Sequence, residues 1–138
     1  MIPEINVWAV LVATVSTMVV GSIWYTPKVF GTWWQKAARV ENPANAVRAI
    51  VITVVVSFLS AWVLAGAAAI AQEFYGGSFL INSLVTAVIL WAGFTAARFV
   101  THDAFENRPP ALTVLNISHE LVTYVVMALI IGLFGIGG

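Results

Sequence analysis

The chain has no cysteine, and only 9% of its 138 residues are charged. Without cysteine there is no disulfide framework, no thiolate metal site and no lipidated thiol. Soluble domains carry about 25% charged residues, so this chain has too little polar surface to cover a water-soluble globule. The formal net charge is zero, which leaves no basic field to attract nucleic acid. The N-terminal stretch MIPEIN holds no Lys or Arg, so the positive region that opens a cleavable signal peptide is missing. Alternating ten-residue segments are also absent, which excludes a transmembrane β-barrel.

What the chain does hold is oil. Hydrophobic residues make up 61% of it, and the mean hydropathy is +0.96. This composition defines an integral membrane protein, read as a single domain over residues 1–138. A spanning helix needs about 20 mostly apolar residues, and four segments qualify. They run from about 5 to 25, 47 to 71, 79 to 101 and 110 to 134. Asn45 is the expected N-cap of the second, after an Asn42-Pro43 turn, and Ser78 that of the third, after Tyr75-Gly76-Gly77. Pro109-Pro110 opens the fourth, where proline is tolerated in the first turn. The fold class is therefore an all-α bundle of four transmembrane helices.

Basic residues set the expected orientation. Lys28, Lys36, Arg39 and Arg48 lie in or beside the first connection, and Arg98 and Arg108 flank the third. No Lys or Arg occurs in the second connection or at either end. By the positive-inside rule the first and third connections are cytoplasmic and both termini outside, in the inner (plasma) membrane of a cell. Within the first connection Phe30, Trp33, Trp34, Ala37 and Ala38 recur at helical spacing, which predicts a short amphipathic segment in the interface. Small residues recur every four positions at Ala13, Thr17 and Gly21, at Ser57, Ala61, Ala65 and Ala69, and at Gly93 and Ala97. Such faces let helices approach closely in lipid. There are more of them than one small bundle needs, so a homo-oligomer is expected.

The block Gly21-Ser22-Ile23-Trp24-Tyr25-Thr26-Pro27-Lys28-Val29-Phe30-Gly31-Thr32-Trp33-Trp34 resembles a G-x-x-W-Y-[ST]-P-x-x-F-G-x-x-W signature. That signature marks a family of small bacterial membrane proteins catalogued as a domain of unknown function, number seventeen sixty-one. Arg108-Pro109-Pro110 and Asn116 resemble the family pattern too. The resemblance implies four spans and names no reaction, ligand or cofactor. On their own physics, Trp24, Tyr25, Pro27, Phe30, Gly31, Trp33 and Trp34 read as an elbow between a span and an interfacial segment. The alternative is an aromatic pocket for a lipid or a quinone-like ring.

Charge within the expected membrane gathers in the third hairpin, from Gly93 to Tyr124. Arg98 and Glu120 lie equally far from Pro109 on either side, so two antiparallel helices would hold them at one depth as an ion pair. Asn116, Glu120, Thr123 and Tyr124 fall on one helical stripe, bordered by His119. A buried network that fixes helix packing is one reading, and a polar vestibule for a proton, ion or solute is another. A catalytic site is a third. His102, Asp103, Glu106 and Arg108 read as a solvated turn. His102 and Glu106 share a helical face, but zinc wants a fuller ligand set, so no metal and no cofactor is expected. The leading expectation is a small homo-oligomeric membrane protein of packing or partner-binding role, not an enzyme. Its expected partners are the lipid bilayer, its own copies and a small-molecule or lipid ligand, with no nucleic acid; the second expectation is an oligomeric transporter or channel, and the third a membrane enzyme or lipid-binding protein.

Overall fold

The computed structural model describes residues 3–40 and 46–136. The Asn42-Pro43 turn and the Asn45 cap lie outside the described residues. Six α-helices follow in order: α1 Val7–Trp24, α2 Gly31–Ala37, α3 Ala46–Tyr75, α4 Phe79–Leu90, α5 Ala97–Phe105 and α6 Pro110–Phe134. A π-helical turn, Trp91–Ala96, joins α4 to α5 without a break. The described chain is all-α. Its four long apolar stretches, Val7–Trp24, Val47–Tyr75, Phe79–Phe105 and Pro110–Phe134, are each long and apolar enough to cross a membrane.

The ends of these helices follow local chemistry. The Asn6 side chain accepts hydrogen bonds from the Trp8 and Ala9 amides and caps α1. Its Nδ2 also donates to the Gly135 carbonyl at 3.5 Å, so the start of α1 and the end of α6 lie together. Gly76 and Gly77 take φ of 67° and 76°, a conformation open to glycine. They let the chain reverse into α4, and Ser78 Oγ caps α4 by accepting from the Ile81 amide at 3.3 Å. Asn82 and Gln72 bind each other and the glycine carbonyls, which closes that turn. Gly135, at φ 82°, ends α6.

The core sits in the half of the bundle nearest the termini. Ala9, Val10 and Ala13 of α1 meet Ala61, Leu64 and Ala65 of α3, Ala87 of α4, and Met127, Ala128 and Ile131 of α6. Two of the small-residue faces pack inside: Ala13 and Thr17 are buried, as are Ser57, Ala61, Ala65 and Ala69. Thr17 Oγ1 donates to Ser57 Oγ at 2.8 Å across the α1–α3 contact. A Cβ on Gly132 would lie 2.8 Å from Leu80 Cα, so glycine there permits the close crossing of α6 and α4.

Toward the opposite face the helices part. α1 and α6 stay together, whereas α3 and α5 have little mutual contact. Residues 47–56 of α3 are all exposed. Of α5 only Asp103 is buried. The parting leaves clefts between the helices on the face that carries the first and third connections.

Candidate intramembrane cleft

The elbow after α1 is built by backbone bonds that curl the chain over itself. Thr26 O accepts from the Val29 and Gly31 amides, and Trp24 O from the Phe30 amide. Pro27 O accepts from Thr32 Oγ1 at 3.4 Å. Gly31 starts α2 pressed against Tyr25 O and Thr26, where a Cβ would overlap backbone atoms. No side chain can shift to relieve that overlap, so the glycine in the Phe-Gly pair is a steric requirement.

This elbow throws its aromatics to two sides of α6. Trp24, Phe30 and Trp33 line one groove of about 510 Å³ against Ala111, Val114 and Leu115. Tyr25 and Trp34 line a second cleft on the other side. Trp24 packs on Phe30 at 4.9 Å between ring centroids, and Tyr25 meets Trp34 edge-on at 5.5 Å. Between them lies His119, with its ring 4.8 Å from Tyr25 and 6.0 Å from Trp24. The Tyr25 hydroxyl donates to Asn116 Oδ1 at 2.8 Å. The aromatic motif and the polar stripe, separate features of the sequence, thus form one site. The Trp24 indole nitrogen is buried with no hydrogen-bond partner among the described residues.

The cleft has a volume of about 520 Å³. Its walls come from α1 (Thr17, Gly21), α3 (Thr53), α5 (Phe99) and α6 (Asn116, Glu120), together with Tyr25 and Trp34. Glu120 lies about 15 Å along α6 from its start, in a helix that would cross a core of about 30 Å. Its carboxylate keeps 30% side-chain exposure and has His119 Nδ1 at 3.5 Å. No Lys or Arg lines the cleft.

Arg98 does not meet Glu120. It is exposed on α5 and lines a different cleft, also about 520 Å³, with His102, Asp103, Glu106 and Arg108. Among the described residues it forms no ion pair with Glu120. The reason lies in the π turn. A π turn uses one residue more than an α turn, so the phase slips by about 100° between α4 and α5. Depth counted along a continuous α-helix can match while the side chain points to another face. Two hydrogen bonds fasten the π turn to α6: Trp91 Nε1 donates to Ile117 O at 2.8 Å, and Thr95 Oγ1 and the Tyr124 hydroxyl are 2.8 Å apart.

The stripe on α6 therefore divides. Asn116 and His119 serve the elbow, Glu120 faces the cleft, and Tyr124 serves the third span. Thr123 is buried and bonds back to His119 O at 2.9 Å.

The expected solvated turn also needs correction at one residue. Asp103 is only 7% exposed, and its Oδ2 accepts from Thr113 Oγ1 at 2.7 Å. It ties α5 to α6 beneath the turn. Glu106 and Arg108 pair at 2.7 Å on the exposed rim, and His102 is exposed. Sequence reasoning missed Thr53, Phe99, Thr113, Trp91 and Thr95, and placed Asp103 in solvent. Only the Pro109-Pro110 turn hinted at the Asp103–Thr113 closure, by bringing its two flanks together.

No curated protein and no solved structure matches the chain. One family profile does, that of a protein of unknown function, DUF1761, over residues 8–132. The match covers most of the sequence, from α1 to the last turns of α6, and includes both the elbow and the stripe. The chain belongs to the DUF1761 family.

Proposed function

We propose that this protein is a small transporter or channel of the bacterial inner membrane, admitting a small solute or ion to the cleft at Glu120. One observation carries the reading: Glu120 borders an open volume of about 520 Å³ with no Lys or Arg on its walls. A carboxylate at mid-membrane costs about 2.5–3.5 kcal/mol on insertion scales. A packing device would offset that cost with a bonded cation and a dry seam. Here the carboxylate has the His119 ring at 3.5 Å and no Lys or Arg in a salt bridge with it among the described residues, and it stays partly exposed. The positive-inside rule supports a cytoplasmic opening and external termini. Purified protein in liposomes should carry a proton or ion flux, read with an internal pH dye or ion electrode, that is lost in Glu120→Gln. Absence of flux for protons, inorganic cations and organic cations alike would end the transport reading.

Self-association has its own support. Ile50, Val51, Val54 and Val55 of α3 are exposed apolar side chains, and Gly93 and Ala97 are exposed as well. Helices in lipid gain stability by packing on one another, and a second copy would cover these exposed faces. Native mass spectrometry from a mild detergent should give a defined oligomer. A monomer at every concentration would count against it.

A further inference from the structure

The geometry points to a lipophilic organic cation as the class of ligand that the Glu120 cleft takes, an inference that rests on the solute-admitting reading above. Three features of the cleft select this chemistry together.

The first is charge. Among the described residues, Glu120, His119 and the Tyr25 phenol are the titratable groups of its wall. Arg98 and Arg108 face the neighbouring cleft. An anion would enter a space with a carboxylate and no Lys or Arg among its described walls, whereas a cation would give Glu120 a permanently charged partner beside the His119 ring.

The second is the aromatic wall. Tyr25, Trp34 and Phe99 line the same space as the carboxylate. The ring faces of such side chains attract cations whose charge is spread and weakly hydrated, such as quaternary ammonium groups. A small hard cation wants a cage of six or more oxygen ligands. The wall offers Glu120 with the amide of Asn116 and the hydroxyls of Thr17, Ser22 and Thr53, spread over three helices.

The third is access. Thr53 belongs to the part of α3 that stands clear of α5. A separate hollow of about 320 Å³, lined by Ser60, Val63, Phe94 and Tyr124, lies between α3 and the third span. Thr53 is exposed and the Glu120 side chain keeps 30% exposure, so the proposed route for a lipophilic ion that partitions into the bilayer is sideways past Thr53. A strongly hydrated ion cannot use that route without shedding its water.

The test uses the full chain in lipid nanodiscs, with a carbodiimide that modifies carboxyl groups in apolar surroundings. Tetraphenylphosphonium is the probe and tetraphenylborate its size-matched anion. Mass spectrometry should find the carbodiimide on Glu120. Tetraphenylphosphonium should protect against it and quench tryptophan fluorescence saturably, while tetraphenylborate should do neither. Glu120→Gln should weaken phosphonium binding at least about tenfold, the scale of a lost charge-assisted contact. Trp34→Ala should weaken it about three- to thirty-fold while leaving Glu120 reactive. Thr53→Leu, at an exposed position, should weaken binding by narrowing the cleft even if the Glu120 variant misfolds. Labelling of Glu120 without phosphonium protection overturns the ligand class and leaves the open cleft standing. Equal binding of the borate, or unchanged binding in Glu120→Gln, also overturns the ligand class. Failure of Glu120 to label at all overturns both the cleft reading and its ligand.

Discussion

The hydroxyl of Tyr25 donates a 2.8 Å hydrogen bond to Oδ1 of Asn116, across a separation of 91 residues. That bond fastens the aromatic elbow to α6 and sets one wall of the Glu120 cleft. Such bonds average about 0.6 kcal/mol in membrane helices, with a maximum near 1.7. Tyr25→Phe and Asn116→Leu should each lower thermal stability in detergent. The double variant should lose less than the sum, because both changes remove one bond. Strict additivity would mean that the two side chains do not interact.

Gly31 and Gly93 should respond oppositely to alanine. A Cβ at Gly31 overlaps Tyr25 O and Thr26, whereas one at Gly93 meets nothing within 4 Å. Gly31→Ala should destabilise the fold by about 1–3 kcal/mol and disturb the elbow. Gly93→Ala should be neutral or stabilise by up to about 1 kcal/mol, since glycine is the poorer helix former. Unfolding midpoints of the two variants under one set of conditions check the contrast.

Asp103→Ala should cost about 1–3 kcal/mol, because it leaves the buried Thr113 hydroxyl without its acceptor. Glu106→Ala, which breaks a rim pair with Arg108, should cost about 0–1 kcal/mol. Hydrogen exchange should show faster opening at the α5–α6 turn in the first variant and little change in the second.

Arg98→Met and Glu120→Gln should act independently. Side chains that share no partner give effects that add within about 0.3–0.5 kcal/mol. A double-mutant cycle on thermal stability reads this directly. A coupling above about 1 kcal/mol would restore the Arg98–Glu120 ion pair.

Much of the architecture is legible without coordinates. Four apolar runs of spanning length, the Ser78 cap, the two-glycine turn and the proline at the start of α6 are local signals, and local signals survive in any fold. Their ends move by a few residues: the second long helix continues to Tyr75 and the third to Phe105, because a helix does not stop where hydrophobicity does. Of the site, the residues themselves were legible, since Trp24, Tyr25, Trp34, Asn116, His119 and Glu120 stand out by type in an oily chain. Their meeting was not, because Tyr25 and Asn116 find each other only after α1 and α6 have packed.

The Arg98–Glu120 pairing marks where counting along the chain fails. Residue separation fixes depth along a helix, but rotation depends on every turn in between. The π turn at Trp91–Ala96 is held by Trp91 and Thr95 bonding to α6, a tertiary event with no signature in the local sequence. The sequence by itself therefore determined that the chain is a four-helix membrane protein and which side chains are out of place in oil. Tertiary structure decided which of them meet, that Asp103 is buried, and that Glu120 faces a cleft without Arg98. The physical reason is that burial and pairing are properties of packed helix faces, and one extra residue in one turn changes the face.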